Sequence, residues 1–246
     1  MTVIRETPTV ETWRDLFTCL EQHAIELVLD IGANHGQFGQ LLRDGGYRGN
    51  IHSFEPVSAS YQRLRQTAGD DPQWHTWQTA LGAQPGQQTI HIANNDGYSS
   101  FLPPSPSGER LLGNTLSPIQ DETVPMTTLD AFLQTLPAEA VQKPIFLKLD
   151  TQGFDLQVIA GARQNLPRIR AVLSEIAWTP LYDSAPDYRH ALKTWENKGF
   201  HLAYLLPTHR RQDLTLIEAA CCLINRRPQP VHLTDTPPTE KTHSPE

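Results

Sequence analysis

Apolar positions along this chain switch back and forth between two spacings. The run Leu27-Val28-Leu29-Asp30-Ile31 is nearly continuous, as in a strand buried on both faces, and from Gln37 the placement of Phe38, Leu41 and Leu42 predicts a helix to about Asp44. The same reading predicts a helix over 12–22, a strand over 50–55, a helix over 58–67 and a strand over 74–79. After an interruption it resumes with a strand over 145–150, a helix over 154–162, a strand over 171–176 and a helix over 188–198. Two further apolar runs, 200–206 and 216–224, are joined by PTHRRQDLT, too short for a crossover, so they are expected to pair as an antiparallel hairpin. Strands alternating with helices predict an α/β fold, a doubly wound and mostly parallel sheet that takes ligands at the carboxyl ends of its strands.

The interruption has its own pattern. From Gln87 to Pro118 the chain reads as short alternating segments, QTIHIAN and YSSFL, followed by PPSPSGERLLGNTLSP with four prolines and two glycines. This predicts an inserted hairpin and a lid loop over about 86–120, set above the carboxyl edge of the sheet. Tyr98, Ser99, Ser100 and Phe101 would either close over a bound molecule or make only a satellite apolar contact. The final 19 residues hold five prolines and little to bury, so residues 228–246 are expected to be a disordered tail after a single domain over 1–227.

Between the first buried strand and its helix lies VLDIGANHGQF. Gly32 and Gly36 allow the backbone to approach a ligand closely, and the start of the following helix favours acceptor groups or negative charge. A dinucleotide fingerprint needs glycine where Asn34 stands, and no Tyr-x-x-x-Lys relay occurs, which argues against a nicotinamide or nucleotide-sugar oxidoreductase. Asp30 sets a carboxylate where a pyrophosphate would want none. It favours a ligand with a cationic head, such as the amino acid end of S-adenosylmethionine.

Charge and cysteines narrow the partners. With 20 Lys+Arg against 27 Asp+Glu the net charge is -7, so nucleic acid is not expected, and His209-Arg210-Arg211 and Arg226-Arg227 read as solvated surface. Cys19, Cys221 and Cys222 form no disulfide framework, the N-terminus has no signal-peptide core and no stretch approaches a membrane span; a cytoplasmic protein is expected.

At the end of the second strand Glu55 lies 19 residues beyond Gly36, where a carboxylate can accept both ribose hydroxyls of an adenosine ligand or simply cap a helix. Lys148, Asp150 and Gln152 fall at the carboxyl end of the fourth strand, with Gly153 permitting the turn. In order, DIGANHGQF, HSFEP, ALG, VPMTTLDAF, LKLDTQGFD with IAGA, SEI, LY and KGF resemble the FkbM-type methyltransferases from Val28 to about Leu206. The resemblance implies a class I Rossmann-like sheet of seven strands in the order 3-2-1-4-5-7-6. It also implies S-adenosylmethionine as cofactor and O-methylation of a hydroxyl on a sugar, glycolipid or polyketide-type acceptor. Carried over, Asp30, Gly32, Asn34 and Gly36 would line the methionine part, Glu55 the ribose, and Gln78, Thr79 and Ala80 the adenine; Asp150 and Gln152 would sit beside the methyl and Glu175 on the acceptor side. The rival from another class is a non-catalytic cofactor-binding or scaffold domain of the same fold.

A hydroxyl nucleophile gains from a base, and the candidates are Asp150, then Glu175 and His35. Each has a plainer role open to it: Asp150 holding the cofactor's amino group, Glu175 pairing with a Lys or Arg, His35 as an exposed loop residue. A metal between Asp150 and Glu175 finds no His or Asp spacing to supply a third ligand, and none is expected.

Overall fold

Leu27–Ile31 forms strand β2, and all five residues are buried because helices cover both faces of the sheet there. Residues 3–5 and 13–227 are described by the computed structural model. Around β2 lie α1 (Arg14–Gln22), α2 (Gln37–Asp44), β3 (Asn50–Phe54), α3 (Ser58–Ala68) and β4 (Trp74–Trp77). The second half contributes β8 (Ile145–Leu149), α7 (Asp155–Ala160), β9 (Ile169–Ala177), α8 (Tyr188–Asn197), β10 (Phe200–Arg211) and β11 (Leu216–Asn225). Their order across the sheet is β4-β3-β2-β8-β9-β11-β10, parallel as far as β9, with β11 antiparallel between β9 and β10. This is the expected 3-2-1-4-5-7-6 arrangement of a Rossmann-like α/β sheet. An eighth strand, β1 (Val3–Arg5), extends the edge beside β10; three partly exposed residues carry no periodicity that would have revealed it.

Alternation along the strands sorts the core into two layers. Leu27, Leu29, Ile31, Leu147 and Leu149 point toward α7, α8 and α5 (Leu129–Thr135), while Val28 and Phe146 point toward α1, α2 and α3. Asp30 and Lys148 fall in the second layer as direct register partners, so an ion pair lies inside the sheet.

Between β4 and β8 the structure departs from the sequence reading. A second, three-stranded sheet is built from β5 (Ala80–Leu81), β6 (Gly86–Ala93) and β7 (Pro118–Thr127). The YSSFL segment, expected as the hairpin partner of QTIHIAN, makes only the single bridge His91 to Ser100; β6 pairs instead with β7, which the sequence reading left unassigned. The proline-rich stretch is not an open loop. It holds α4 (Pro106–Leu112), capped by the Ser105 hydroxyl accepting from the Gly108 amide, and the Ser105 hydroxyl donates to the Pro180 carbonyl. Leu111 and Leu116 bury against Leu181, Tyr182 and Ile217. Last in this region is α6 (Ala138–Val141). The tail expected over 228–246, and Thr12 of the first helix, lie outside the described residues.

Candidate functional site

At the carboxyl ends of β2, β3, β8 and β9 a cavity of about 640 Å³ opens, within the ~300–1,000 Å³ usual for small-molecule sites. The glycine turn forms its floor. Gly32 has φ +75°, and a Cβ there would come within 2.0 Å of the Asp150 carbonyl oxygen, so only glycine lets the ends of β2 and β8 meet. Gly36 serves a different purpose from the one expected: its missing Cβ admits Leu64 and Thr67 of α3, and it is not part of the cavity wall.

Asp30 is fully buried beneath that floor rather than lining it. Oδ2 accepts from the Ser53 hydroxyl at 3.0 Å, and Oδ1 lies 3.0 Å from Lys148 Nζ. Lys148 also donates to the Gly32 carbonyl at 2.8 Å and stands 3.7 Å from Asp150 Oδ2. Burial works against its charge, but the Asp30 and Asp150 carboxylates outweigh that and hold it firmly protonated. Lys148 thus ties the turn to both strand ends, a role its place among apolar neighbours in LKL did not disclose.

Glu55 lines the cavity with its carboxylate preset: Oε2 accepts from the Asn34 amide at 2.9 Å and Oε1 from the Val57 amide at 2.8 Å. Burial pushes its pKa up to about 8 from an ordinary 4.5, despite those amides and Lys148. Thr79 and Ala80 also line the cavity, whereas Gln78 is exposed and donates to the Ser58 hydroxyl. His35 stands outside the wall. Its Nε2 pairs with Asp96 at 2.7 Å, and an Arg63 guanidinium nitrogen is 3.2 Å away.

Asp96, Tyr98, Ser99, Ser100 and Phe101 form the roof. The cover is therefore this short segment, while no residue of 102–118, the expected lid, reaches the cavity. Amide hydrogen exchange should slow over 96–101 when cofactor is added and stay unchanged over 105–113; equal protection of both segments would restore the longer lid.

Toward β9 and β10 the wall becomes polar. Gln152, in a left-handed conformation with φ +52°, donates from Nε2 to Asp150 Oδ1 at 2.8 Å and to Glu175 Oε2 at 3.1 Å, and accepts from the Tyr182 hydroxyl at 2.8 Å. Glu175 Oε1 accepts from Thr208 at 3.0 Å; its partners are neutral groups, not a lysine or arginine. Burial, then the nearby charges of Asp150 and Glu218, raise the Glu175 carboxyl well above the usual range. His209, expected on solvated surface, is buried: strand β10 runs on through PTHRR, so His209 is the register partner of Glu218 on β11, with Tyr98 Oη 2.8 Å from its Nε2.

Residues 30–202 match the methyltransferase FkbM domain. The chain belongs to that methyltransferase family. The family takes its methyl group from S-adenosylmethionine, and the cavity fits a ligand of that size and polarity: about 640 Å³, with the Glu55 carboxyl, held by the Asn34 and Val57 amides, and the Asp150 carboxyl in its wall. Among relatives, the 2-O-methyltransferase NoeI of Sinorhizobium fredii (strain NBRC 101917 / NGR234) is 25% identical over 185 residues, 73% of this chain and 74% of that protein. Among solved structures, magnesium protoporphyrin IX methyltransferase ChlM of Synechocystis PCC 6803 with bound SAM aligns over 88% of this chain and 77% of its own, at 10% identity and a TM-score of 0.47. Aeropyrum pernix fibrillarin with natively bound S-adenosyl-L-methionine aligns over 85% and 74%, at 10% identity and a TM-score of 0.45. Scores of that size carry no argument about activity. No helix among the described residues of this FkbM-family chain is long and apolar enough to cross a membrane.

Proposed function

We propose that this FkbM-family chain is an O-methyltransferase acting on a hydroxyl of a sugar, glycolipid or polyketide-type acceptor. The observation that carries this is the Asp150–Gln152–Glu175 array, two carboxylates joined by one amide at the polar end of the cavity. The 2-O-methyltransferase name of the relative from Sinorhizobium fredii supports oxygen as the methylated atom. S-adenosylmethionine, when bound, supplies a methyl group on a sulfonium.

Glu55 would hold the ribose hydroxyls, the Gly32–Asn34 turn the methionine part and Thr79 and Ala80 the adenine side. At the other end the chain must place a hydroxyl and relieve it of its proton. Orientation of the two reactants contributes as much as ~7–11 kcal/mol, and a positioned base a further ~10²–10⁴-fold. Asp150 is the base in this reading. It is the more exposed of the two carboxylates, and Gln152 fixes its Oδ1 while leaving Oδ2 facing Lys148 at 3.7 Å. Glu175 would hold the acceptor from the opposite side together with Thr208. His35 drops out as a base, since Asp96 occupies its Nε2.

Mass spectrometry after incubation with S-adenosylmethionine and a panel of hydroxylated acceptors tests the reading. A product heavier by one methylene and resistant to periodate at the modified position is expected; cofactor binding with no product from any acceptor class would favour the non-catalytic alternative.

Cofactor binding itself should depend on Glu55. Glu55→Ala is expected to weaken it ~10–100-fold, the loss of ~1.5–3 kcal/mol of charge-assisted hydrogen bonding. Since the carboxyl retains its proton up to about pH 8 in the free chain, and ribose hydroxyls are accepted best by the ionised form, affinity should rise with pH until about 8 and then level off. Glu55→Gln should flatten that rise. Calorimetric titration of all three proteins below and above pH 8 reads this, and parallel pH profiles would remove Glu55 from the ribose site.

A further inference from the structure

Two polar atoms at the β10–β11 edge of the cavity are buried without a hydrogen-bond partner: Nδ1 of His209 and Oε2 of Glu218. They face each other 3.3 Å apart, on residues only 6% and 5% exposed. Glu175 on β9, the register partner of Ala220 on β11, lies on the same face of the sheet, and one ligand atom from each of the three residues falls within 4.8 Å of the others. Donors ~2.1 Å from one ion, at tetrahedral to octahedral angles, stand ~3.0–3.5 Å apart, which is the His209–Glu218 separation.

We propose that Glu175, His209 and Glu218 bind one first-row divalent transition-metal ion at the acceptor end of the cavity. The charge around them calls for a cation. Asp150 adds a third carboxylate from the end of β8, Lys148 is committed to Asp30, and Arg5 on β1 is the register partner of His209. One imidazole with two carboxylates suits Mn²⁺, Fe²⁺ or Zn²⁺ better than Mg²⁺ or Ca²⁺, which prefer all-oxygen shells. The outer contact is also in place: with Nδ1 on the metal, Nε2 carries the proton and donates to Tyr98 Oη at 2.8 Å, as ligating histidines usually do. His209 and Glu175 line the cavity, so an open position on the ion would face an acceptor hydroxyl or water.

Titration of the full chain with Mn²⁺ alone, followed by electron paramagnetic resonance, tests this without cofactor or acceptor, so its result is separate from that for methyl transfer. One tightly bound Mn²⁺ showing nitrogen hyperfine coupling is expected. His209→Gln should abolish the coupling, and Tyr98→Phe, which leaves every ligand in place, should weaken binding ~10–100-fold. Glu218→Gln should weaken it more than Tyr98→Phe does, while its metal-free form stays folded because a buried charge has been removed. Absence of Mn²⁺ and Zn²⁺ binding by the wild-type chain, or nitrogen coupling that persists in His209→Gln, would overturn the proposal.

Discussion

Gly32→Ala is expected to destabilise the fold by roughly 2–6 kcal/mol, the sum of ~1–3 for a non-glycine residue held at positive φ and ~1–3 for overpacking. The overpacking is severe in kind. The new Cβ would meet a backbone oxygen, Asp150 O at 2.0 Å, which cannot rotate away as a side chain can. Relief requires β2 and β8 to separate at their carboxyl ends, and that would also pull Lys148 from the Gly32 carbonyl and from Asp30, leaving buried charges poorly paired. Urea denaturation with unchanged slope and a lowered midpoint would report this loss. Gly36→Ala should be milder, because its Cβ would approach the Leu64 and Thr67 side chains at 3.0 Å and 3.2 Å. Equal losses at the two glycines would show that positive φ, common to both, sets the cost instead of the backbone contact at Gly32.

Asp150→Asn is expected to lower saturated turnover by ~10²-fold or more with little change in cofactor affinity, because the amide keeps the shape and removes proton acceptance. Its hydrogen bond from Gln152 Nε2 to Oδ1 can be retained by the amide oxygen, so the array should stay assembled. The other role open to Asp150, partner of the cofactor's ammonium, gives the reverse pattern: affinity falls by ~1.5–3 kcal/mol while turnover at saturation is nearly intact. Measuring affinity and saturated turnover on the same variant separates the two, and the reverse pattern would move the base to Glu175.

Local pattern carried much of this. A buried run ending in Asp30, a glycine turn and a helix at 37–44 were legible because each is written in a few adjacent residues, and the ordered motifs around Glu55 and Asp150 identified the family. Strand β7 was hidden because its apolar residues are sparse and its exposed face is polar, so PIQDETVPMT shows little alternation. The proline-rich stretch looked like a lid because composition cannot show that Ser105 anchors it to Pro180 or that Leu111 finds Leu181.

Periodicity was enough for the alternating strands and helices, and the ordered short motifs for the resemblance that implies the strand order and for Gly32, Asn34, Glu55, Thr79, Ala80, Asp150, Gln152 and Glu175, all of which line the cavity. Tertiary structure decided the rest. It withdrew Asp30, Gly36, Gln78 and His35 from the cavity wall, because a residue near a turn can face the floor, a helix, solvent or a neighbouring carboxylate with equal local propensity. It gave Lys148 its partner and brought His209 in, because Asp30 and Glu218 are distant from them in sequence and are set opposite them only by strand register.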